Sequence, residues 1–308
     1  MKGFFTKHGL KMATLTIFAG TGLSLLPELL YPEKYKIVYQ LHVLDQTSNR
    51  VPLPLSQTLV KTVQQELSKT YPDKPPNRID PFYYHGIEKL PLAGSLNSSR
   101  GAILGLPFYF KYSDDSQLND LIAVLKEGGF EFPTDHLATS FSRTMLLSDA
   151  AKRFAISRAI HQLSYDTFKC KLAAFSLGGV SGAFLWFMCQ WSMDLKKSAT
   201  WARAVSVISV LVAVANYVLI RGLIFNYIEK KADQKCANMG PDYVAGGYEL
   251  YEKTITRNKV ARLLNSELAG LYNHFGNETT LFTLKTRTVN RFDEFDAYCK
   301  TLSTALVE

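Results

Sequence analysis

The stretch Leu172-Ala-Ala-Phe-Ser-Leu-Gly-Gly-Val-Ser-Gly-Ala-Phe-Leu-Trp-Phe-Met-Cys-Gln-Trp-Ser-Met193 carries no charge and no proline. As an α-helix it is long enough to cross a ~30 Å hydrocarbon layer. A second apolar stretch, Ala204-Val-Ser-Val-Ile-Ser-Val-Leu-Val-Ala-Val-Ala-Asn-Tyr-Val-Leu-Ile220, follows after a short loop bearing Lys196, Lys197 and Arg203. Beyond Arg221 it continues through Gly222-Leu-Ile-Phe-Asn-Tyr227. Neither half contains an acidic residue, whereas core helices of this length in soluble proteins carry charges or a polar stripe. Two such helices joined by so short a loop read as a membrane hairpin, with the lipid bilayer as its partner.

A third span is expected at 12–30, from Met12 to Leu30, behind a basic leader (1–11) with Lys2, Lys7 and Lys11. The first acidic residue of the chain is Glu28, and the leader lacks the arginines and serines of a cleaved transit peptide, so it reads as a retained anchor. With three spans, the N-terminal lysines and the Lys196–Lys197 loop lie on one side, as the positive-inside rule asks; with two they would be opposed. The expected organisation is the leader 1–11, span 12–30, a soluble α+β segment 31–170, span 171–193, basic loop 194–203, span 204–227 and a helical segment 228–308. The fold class is therefore an α+β integral membrane protein: three transmembrane helices, with a mixed, mainly helical soluble domain built from the middle and C-terminal segments.

The chain has 308 residues and a net charge of +8, from 35 Lys and Arg against 27 Asp and Glu. The basic residues are scattered through mixed-sign segments, with no aromatic-interleaved run, so nucleic-acid binding is not expected. The four cysteines (Cys170, Cys189, Cys236, Cys299) show no CxxC spacing. Cys170 and Cys236 flank the hairpin on the same expected side; a disulfide is open to them, with free thiols the simpler reading. Asn97-Ser98-Ser99 and Asn277-Glu278-Thr279 are glycosylation acceptors if the chain is secretory and mean nothing in a mitochondrion. No cofactor signature is present.

Within the soluble segments, Ser56 is a plausible cap for a helix through Lys69 with Leu59, Val60, Val63 and Leu67 on one face. Pro72 to Pro81 is a proline-rich break. Phe82–Tyr84, Ala102–Tyr112 and Gly129–Phe132 read as strands, with a short helix at Gln117–Lys126 between the last two. The segment before Met145-Leu-Leu-Ser148 reads as extended. Ser148-Asp149 starts a helix whose apolar face is Phe154, Ile156, Ala159, Ile160 and Leu163, and no breaker separates it from the second span, so one long rod is expected. Glu229–Met239 continues the third span as a helix to Gly240-Pro241. A further helix with Tyr243, Val244, Tyr248 and Tyr251, a shorter one at Lys259–Leu264 and a turn-containing tail with a break at Gly276-Asn277 complete the chain.

Ala174, Gly178 and Gly182 make a small-residue face of GxxxG type, which lets helix backbones approach where lipid removes the hydrophobic drive. It would pack on the third span or on a partner. Gly179-Val-Ser-Gly182 matches the GxSG of intramembrane serine proteases, but no histidine lies in any span to act as base, so the match is coincidental. No HExxH exists either. The layout still resembles membrane zinc metallopeptidases of the HtpX and CAAX-prenyl-protease type, in which a hairpin separates the HExxH helix from an ExxxD helix. In those positions this chain reads Arg158-Ala159-Ile-His-Gln162, while Glu229 and Asp233 remain. One of three ligands and no base cannot generate zinc hydroxide, so the likeness implies a protease fold kept for binding, with no catalytic or metal-binding residues.

A closer likeness runs through Arg100-Gly-Ala-Ile-Leu-Gly-Leu-Pro107, Leu147-Ser-Asp-Ala-Ala-Lys-Arg-Phe-Ala-Ile-Ser-Arg158 and Gly246-Gly-Tyr-Glu-Leu-Tyr-Glu-Lys253, then Arg262-Leu-Leu264, Leu271-Tyr272 and Gly276-Asn277. This ordered set, from about residue 100 to 290, resembles the transmembrane protein 177 family of mitochondrial inner-membrane proteins. The resemblance implies residence in that membrane with the soluble segments in the intermembrane space. It also implies a non-enzymatic role in cytochrome c oxidase assembly, with newly made subunit 2 and its membrane assembly chaperone as partners. The alternative is a membrane-bound zinc metallopeptidase-like enzyme with an unconventional or degenerate site.

Overall fold

A computed structural model of the chain describes residues 36, 40, 42–44, 50–84, 86–87, 90–193, 199–264, 266–279 and 287–305. The expected leader 1–11, the expected span 12–30 and the loop lysines Lys196 and Lys197 lie outside the described residues. Two units emerge: one holds Asp166–Tyr227, the other Lys36–Tyr165, Ile228–Leu281 and Thr286–Glu308.

In the larger unit, strands β1 (His42–Leu44) and β2 (Arg50–Pro52) pair antiparallel. Helix α1 (Gln57–Thr70) buries Leu59, Val63 and Leu67, the residues that its 3.6-residue period puts on one face. A mixed three-stranded sheet has the order β3-β5-β4, with β3 (Ile79–Tyr84) parallel and β4 (Leu92–Gly94) antiparallel to β5 (Ala102–Pro107). All of β5 is buried, as a central strand covered on both faces should be. Gly101 enters it at φ 76°, where a Cβ would sit 2.7 Å from the Arg78 carbonyl oxygen; only glycine fits there.

The expected strand through Tyr112 stops at Pro107 and turns into a short 3-10 helix, Phe108–Lys111. Helix α2 is Leu118–Glu127. Gly129–Phe132 is not a strand: Phe130 and Phe132 fold over Phe141, with ring centroids 5.7 Å and 5.9 Å away. Phe141 belongs to α3 (Asp135–Arg143), a helix in the segment expected to be extended. Its signal was Thr134, whose hydroxyl accepts from the Leu137 N–H at 3.3 Å.

Helix α4 (Asp149–Leu163) starts where Ser148 accepts from the Ala151 N–H at 3.2 Å, and it runs through the core with Phe154, Ile156, Ala159, Ile160 and Leu163 buried. The continuous rod does not form. The Ser164 hydroxyl turns back to the His161 carbonyl at 2.7 Å, and Asp166 accepts from the Lys169 N–H at 3.1 Å, so two short polar side chains end one helix and start the next.

The smaller unit is a hairpin of α5 (Thr167–Met193) and the greater part of α6 (Ala199–Ala237), both long and apolar enough to cross a membrane. The small-residue face is spent within it. A Cβ on Gly178 would lie 2.8 Å from the Ala213 carbonyl oxygen and one on Gly182 2.6 Å from that of Ser209, and Ala174 is buried. Ser181 donates to the Gly178 carbonyl at 2.7 Å and accepts from Asn216 at 2.8 Å, so the polar atoms of the pair satisfy one another where lipid cannot.

From Ile228 onward α6 belongs to the larger unit. Helix α7 (Pro241–Leu264) is continuous where two helices were expected, and α8 (Ser266–Leu271) follows. The tail closes on α9 (Thr288–Ala305). Asn277 is buried and accepts from the Val289 N–H at 3.1 Å, which leaves Asn97 as the exposed glycosylation acceptor of the two. The family-like segments meet at the start of α4. Glu249 of α7 accepts from the Ser148 N–H at 2.9 Å and from Lys253 at 2.8 Å, while Lys253 also donates to the Leu146 carbonyl. Hydrogen bonds from Lys253 and Ser148 outweigh burial and hold the Glu249 carboxyl below its ordinary range.

Gly246 and Gly247 make α7 thin where it touches two neighbours. A Cβ on Gly246 would come within 2.4 Å of the Ala150 carbonyl oxygen of α4, and one on Gly247 within 2.4 Å of the Phe295 ring of α9. Gly246→Val should therefore force α4 and α7 apart and lower the unfolding midpoint of the detergent-solubilised protein, at a cost of about 1–3 kcal/mol. Gly179→Ala, where a Cβ meets nothing within 4 Å, should leave the midpoint unchanged or slightly raised.

Candidate functional site

Helical spacing puts Arg158 and Gln162 on one face of α4 and Glu229 and Asp233 on one face of α6. The two faces meet. Arg158 Nε donates to Asp233 Oδ1 at 2.6 Å, and its Nη2 lies 3.7 Å from Glu229 Oε2. With its amide turned so that oxygen faces the guanidinium, Gln162 accepts from both Arg158 Nη atoms at 3.2 Å. Ala159 is buried in the apolar core instead. Four of the five positions singled out in the sequence thus meet, and Ala159 does not join them.

Two residues that the sequence did not single out complete the cluster. Arg291 of α9 donates to Glu229 Oε2 and brings Nη1 to 3.4 Å from Asp233 Oδ2. The Tyr251 hydroxyl of α7 donates to Asp233 Oδ1 at 2.7 Å. Two guanidiniums and two carboxylates alternate, so the cluster is neutral although the Asp233 side chain is only 3% exposed and that of Arg291 6%. Tyr251 lies within the Gly246–Lys253 segment, which marked it; nothing in the sequence marked Arg291, because its partners are more than fifty residues away.

Burial works against the Arg158 charge, but Asp233, Tyr251 and Glu229 outweigh it and hold the guanidinium above its ordinary pKa. Burial pushes the Tyr251 hydroxyl up, so it stays a donor. Asp233 Oδ2 is buried with no hydrogen bond among the described residues.

His161, one turn along α4, is buried on another contact: Tyr71 OH lies 3.2 Å from its Nδ1 and the two rings meet edge-on. Its Nε2 has no partner among the described residues. Burial, helped by Lys235, pushes its pKa down to about 4, so the ring is neutral at physiological pH. No group of three His, Cys, Asp or Glu among the described residues is placed to hold a metal ion. The four cysteines are free thiols, and burial pushes that of Cys236 up to about 12, which makes it inert.

A membrane hairpin joined to a mainly helical α+β unit, with a neutralised charge cluster among four helices, defines a class of membrane protein rather than a particular chemistry. Residues 90–300 match the family model of Transmembrane protein 177, and the chain belongs to that family of membrane proteins. It is 26% identical over 175 residues to Transmembrane protein 177 of Danio rerio, covering 53% of this chain and 54% of that one. Against Transmembrane protein 177 of Xenopus laevis it is 23% identical over 236 residues, 73% of each. The chain thus spans about half the length of the first relative in its match. No solved structure matches it. The metallopeptidase likeness rests on the residue layout alone.

Arg158→Leu leaves Asp233 buried beside a single guanidinium and should cost about 3–5 kcal/mol in chemical denaturation. Arg158→Leu with Asp233→Leu should cost clearly less than the sum of the single changes, because the pair is lost together. Acid should act through His161. Its folded value of about 4 lies below the ordinary 6.5, so the unfolded chain takes up the proton first and stability is whole above 6.5 and lost as pH falls toward 4. His161→Phe should remove that slope, read as the denaturation midpoint between pH about 7 and about 5.

Proposed function

We propose that this protein is a non-enzymatic assembly and stabilising factor for cytochrome c oxidase in the mitochondrial inner membrane. It acts on newly made subunit 2 and that subunit's membrane assembly chaperone. The observation that carries the non-enzymatic reading is the charge cluster: the carboxylates that could do chemistry, Glu229 and Asp233, are engaged by Arg158 and Arg291, and Ala159 offers no base. Family membership supports the membrane setting. In this reading the span at 12–30 adds a third crossing, both basic segments face the matrix, and the soluble segments lie in the intermembrane space.

The hairpin supplies the means of lateral contact. Leu177, Val180, Phe184 and Phe187 of α5 and Val207, Leu211 and Val214 of α6 point outward, offering apolar relief to lipid or to a client helix. A membrane metallopeptidase-like enzyme is the second reading, favoured only by the convergence of positions 158, 162, 229 and 233. It fails on the missing base and on the arginine that fills the place of a cation.

Deletion of the gene should lower the steady-state level of oxidase subunit 2 or of its chaperone in isolated mitochondria, and re-expression should restore it. Unchanged levels together with unchanged oxidase activity would overturn the reading.

A further inference from the structure

We propose that Arg257 anchors a binding site for a small oxyanion, a phosphate or carboxylate group seated on the side of its guanidinium. Three cations are buried among the described residues, Lys152, Arg257 and Arg291, each 5% exposed. The fold answers two of them. Arg291 faces the carboxylates of Glu229 and Asp233, and Lys152 donates to the Tyr112 carbonyl and the Ser113 hydroxyl. Arg257 has neither arrangement. Among the described residues its one hydrogen bond runs from Nη1 to the Tyr109 hydroxyl at 3.3 Å, and no carboxylate pairs with it.

The row of residues along α7 shows why. Glu249, Lys253 and Arg257 follow one another at i, i+4 and i+8, on one face of the helix. The carboxylate of that row is engaged by Lys253 and Ser148, and one turn beyond Arg257 stands Ala261, buried and apolar. Tyr109 arrives from the 3-10 helix just past the carboxyl end of β5 and brings a hydroxyl rather than a carboxylate.

A lysine in this position could shed its charge, and burial does pull the Lys152 pKa down. An arginine stays protonated, so a buried guanidinium without a counter-charge has to be matched by an anion from outside the chain. Arg257 Nε is fully buried and has no hydrogen bond among the described residues. With Nη1 held by Tyr109, the unused side is the fork of Nε and Nη2, the edge that takes two oxygens of a carboxylate or phosphate at once. Tyr109 is thus a positioning residue, which fixes the guanidinium by one nitrogen and leaves the fork unused.

The test uses the full chain in an uncharged detergent and a phosphate-free chloride buffer, with ionic strength matched throughout. Inorganic phosphate should raise the thermal unfolding midpoint along a saturating curve, as a ligand of the folded state does, and equilibrium dialysis should find about one phosphate per chain. Acetate and micelles carrying phosphatidic acid run in parallel. A rise with acetate alone assigns the site to a carboxylate, and a rise with the micelles alone assigns it to a lipid headgroup phosphate. Arg257→Met should show no rise, and in chloride its midpoint should match or exceed the native one, because a buried charge without a partner is gone. Arg257→Lys keeps the charge without the fork and should bind phosphate roughly tenfold more weakly. Tyr109→Phe should weaken binding several-fold. Indifference of the native midpoint to all three oxyanions, or an equal rise in Arg257→Met or with added chloride, would overturn the proposal. Where Arg257→Met loses the fold through lost packing, Arg257→Lys decides: an affinity equal to that of the native chain overturns the site.

Discussion

Two guanidiniums and two carboxylates lie among α4, α6, α7 and α9, and none of the four can lose a partner without leaving a charge in a poorly solvated place. Arg158 must find Asp233, Arg291 must find Glu229, and Tyr251 must point its hydroxyl at Asp233. Such a cluster adds little to stability against a well-packed apolar replacement, because the desolvation of each charge offsets its attraction. What it imposes is register. A slip of one residue along α4, α6 or α9 would break several pairs together, and a slip of α7 would break the Tyr251 bond, so the helices that carry the cluster lock one another in place.

Close packing does the rest, and in both units glycine makes it possible. In the hairpin, Gly178 and Gly182 let the α5 backbone reach the carbonyls of Ala213 and Ser209, where van der Waals contact has to stand in for the hydrophobic effect. In the larger unit, Gly246 lets α7 reach the backbone of α4 at Ala150, and Gly247 admits the Phe295 ring. Phe295 then sits 5.0 Å from Phe154 and 5.5 Å from Tyr251, an aromatic cluster beside the charged one. Glu249 adds a polar clasp at the head of α4. The three family-like segments therefore serve packing: a strand entry at Gly101, the core helix up to Arg158, and the face of α7 that holds it.

This arrangement bears on function through what it leaves unavailable. Residues at spacings that elsewhere build a catalytic centre are engaged with each other, His161 is held neutral by burial, and the Cys236 thiol is pushed far from reactivity. The outward surface of the hairpin, by contrast, is broad and apolar. The engaged side chains lie in the larger unit and the broad apolar surface lies on the hairpin.

The sequence by itself determined the membrane hairpin, the cap at Ser148, the buried face of α1 and the family likeness, because each is written in local periodicity, charge absence or a short motif. Through the metallopeptidase-like layout it drew attention to Arg158, Ala159, Gln162, Glu229 and Asp233, of which all but Ala159 meet in the structure. It misread Gly129–Phe132 as a strand because aromatic residues fit a sheet and an aromatic plug equally well, and it missed α3 because its apolar face is short. It ran α4 into α5 because Ser164 and Asp166 break a helix only when their side chains turn back to the backbone. Only the tertiary structure decided that the small-residue face packs within the hairpin, that α7 is one helix, and that Arg291 and Tyr251 complete the charge cluster. Those outcomes depend on which side chains meet across long separations, and no local pattern encodes a partner that distant.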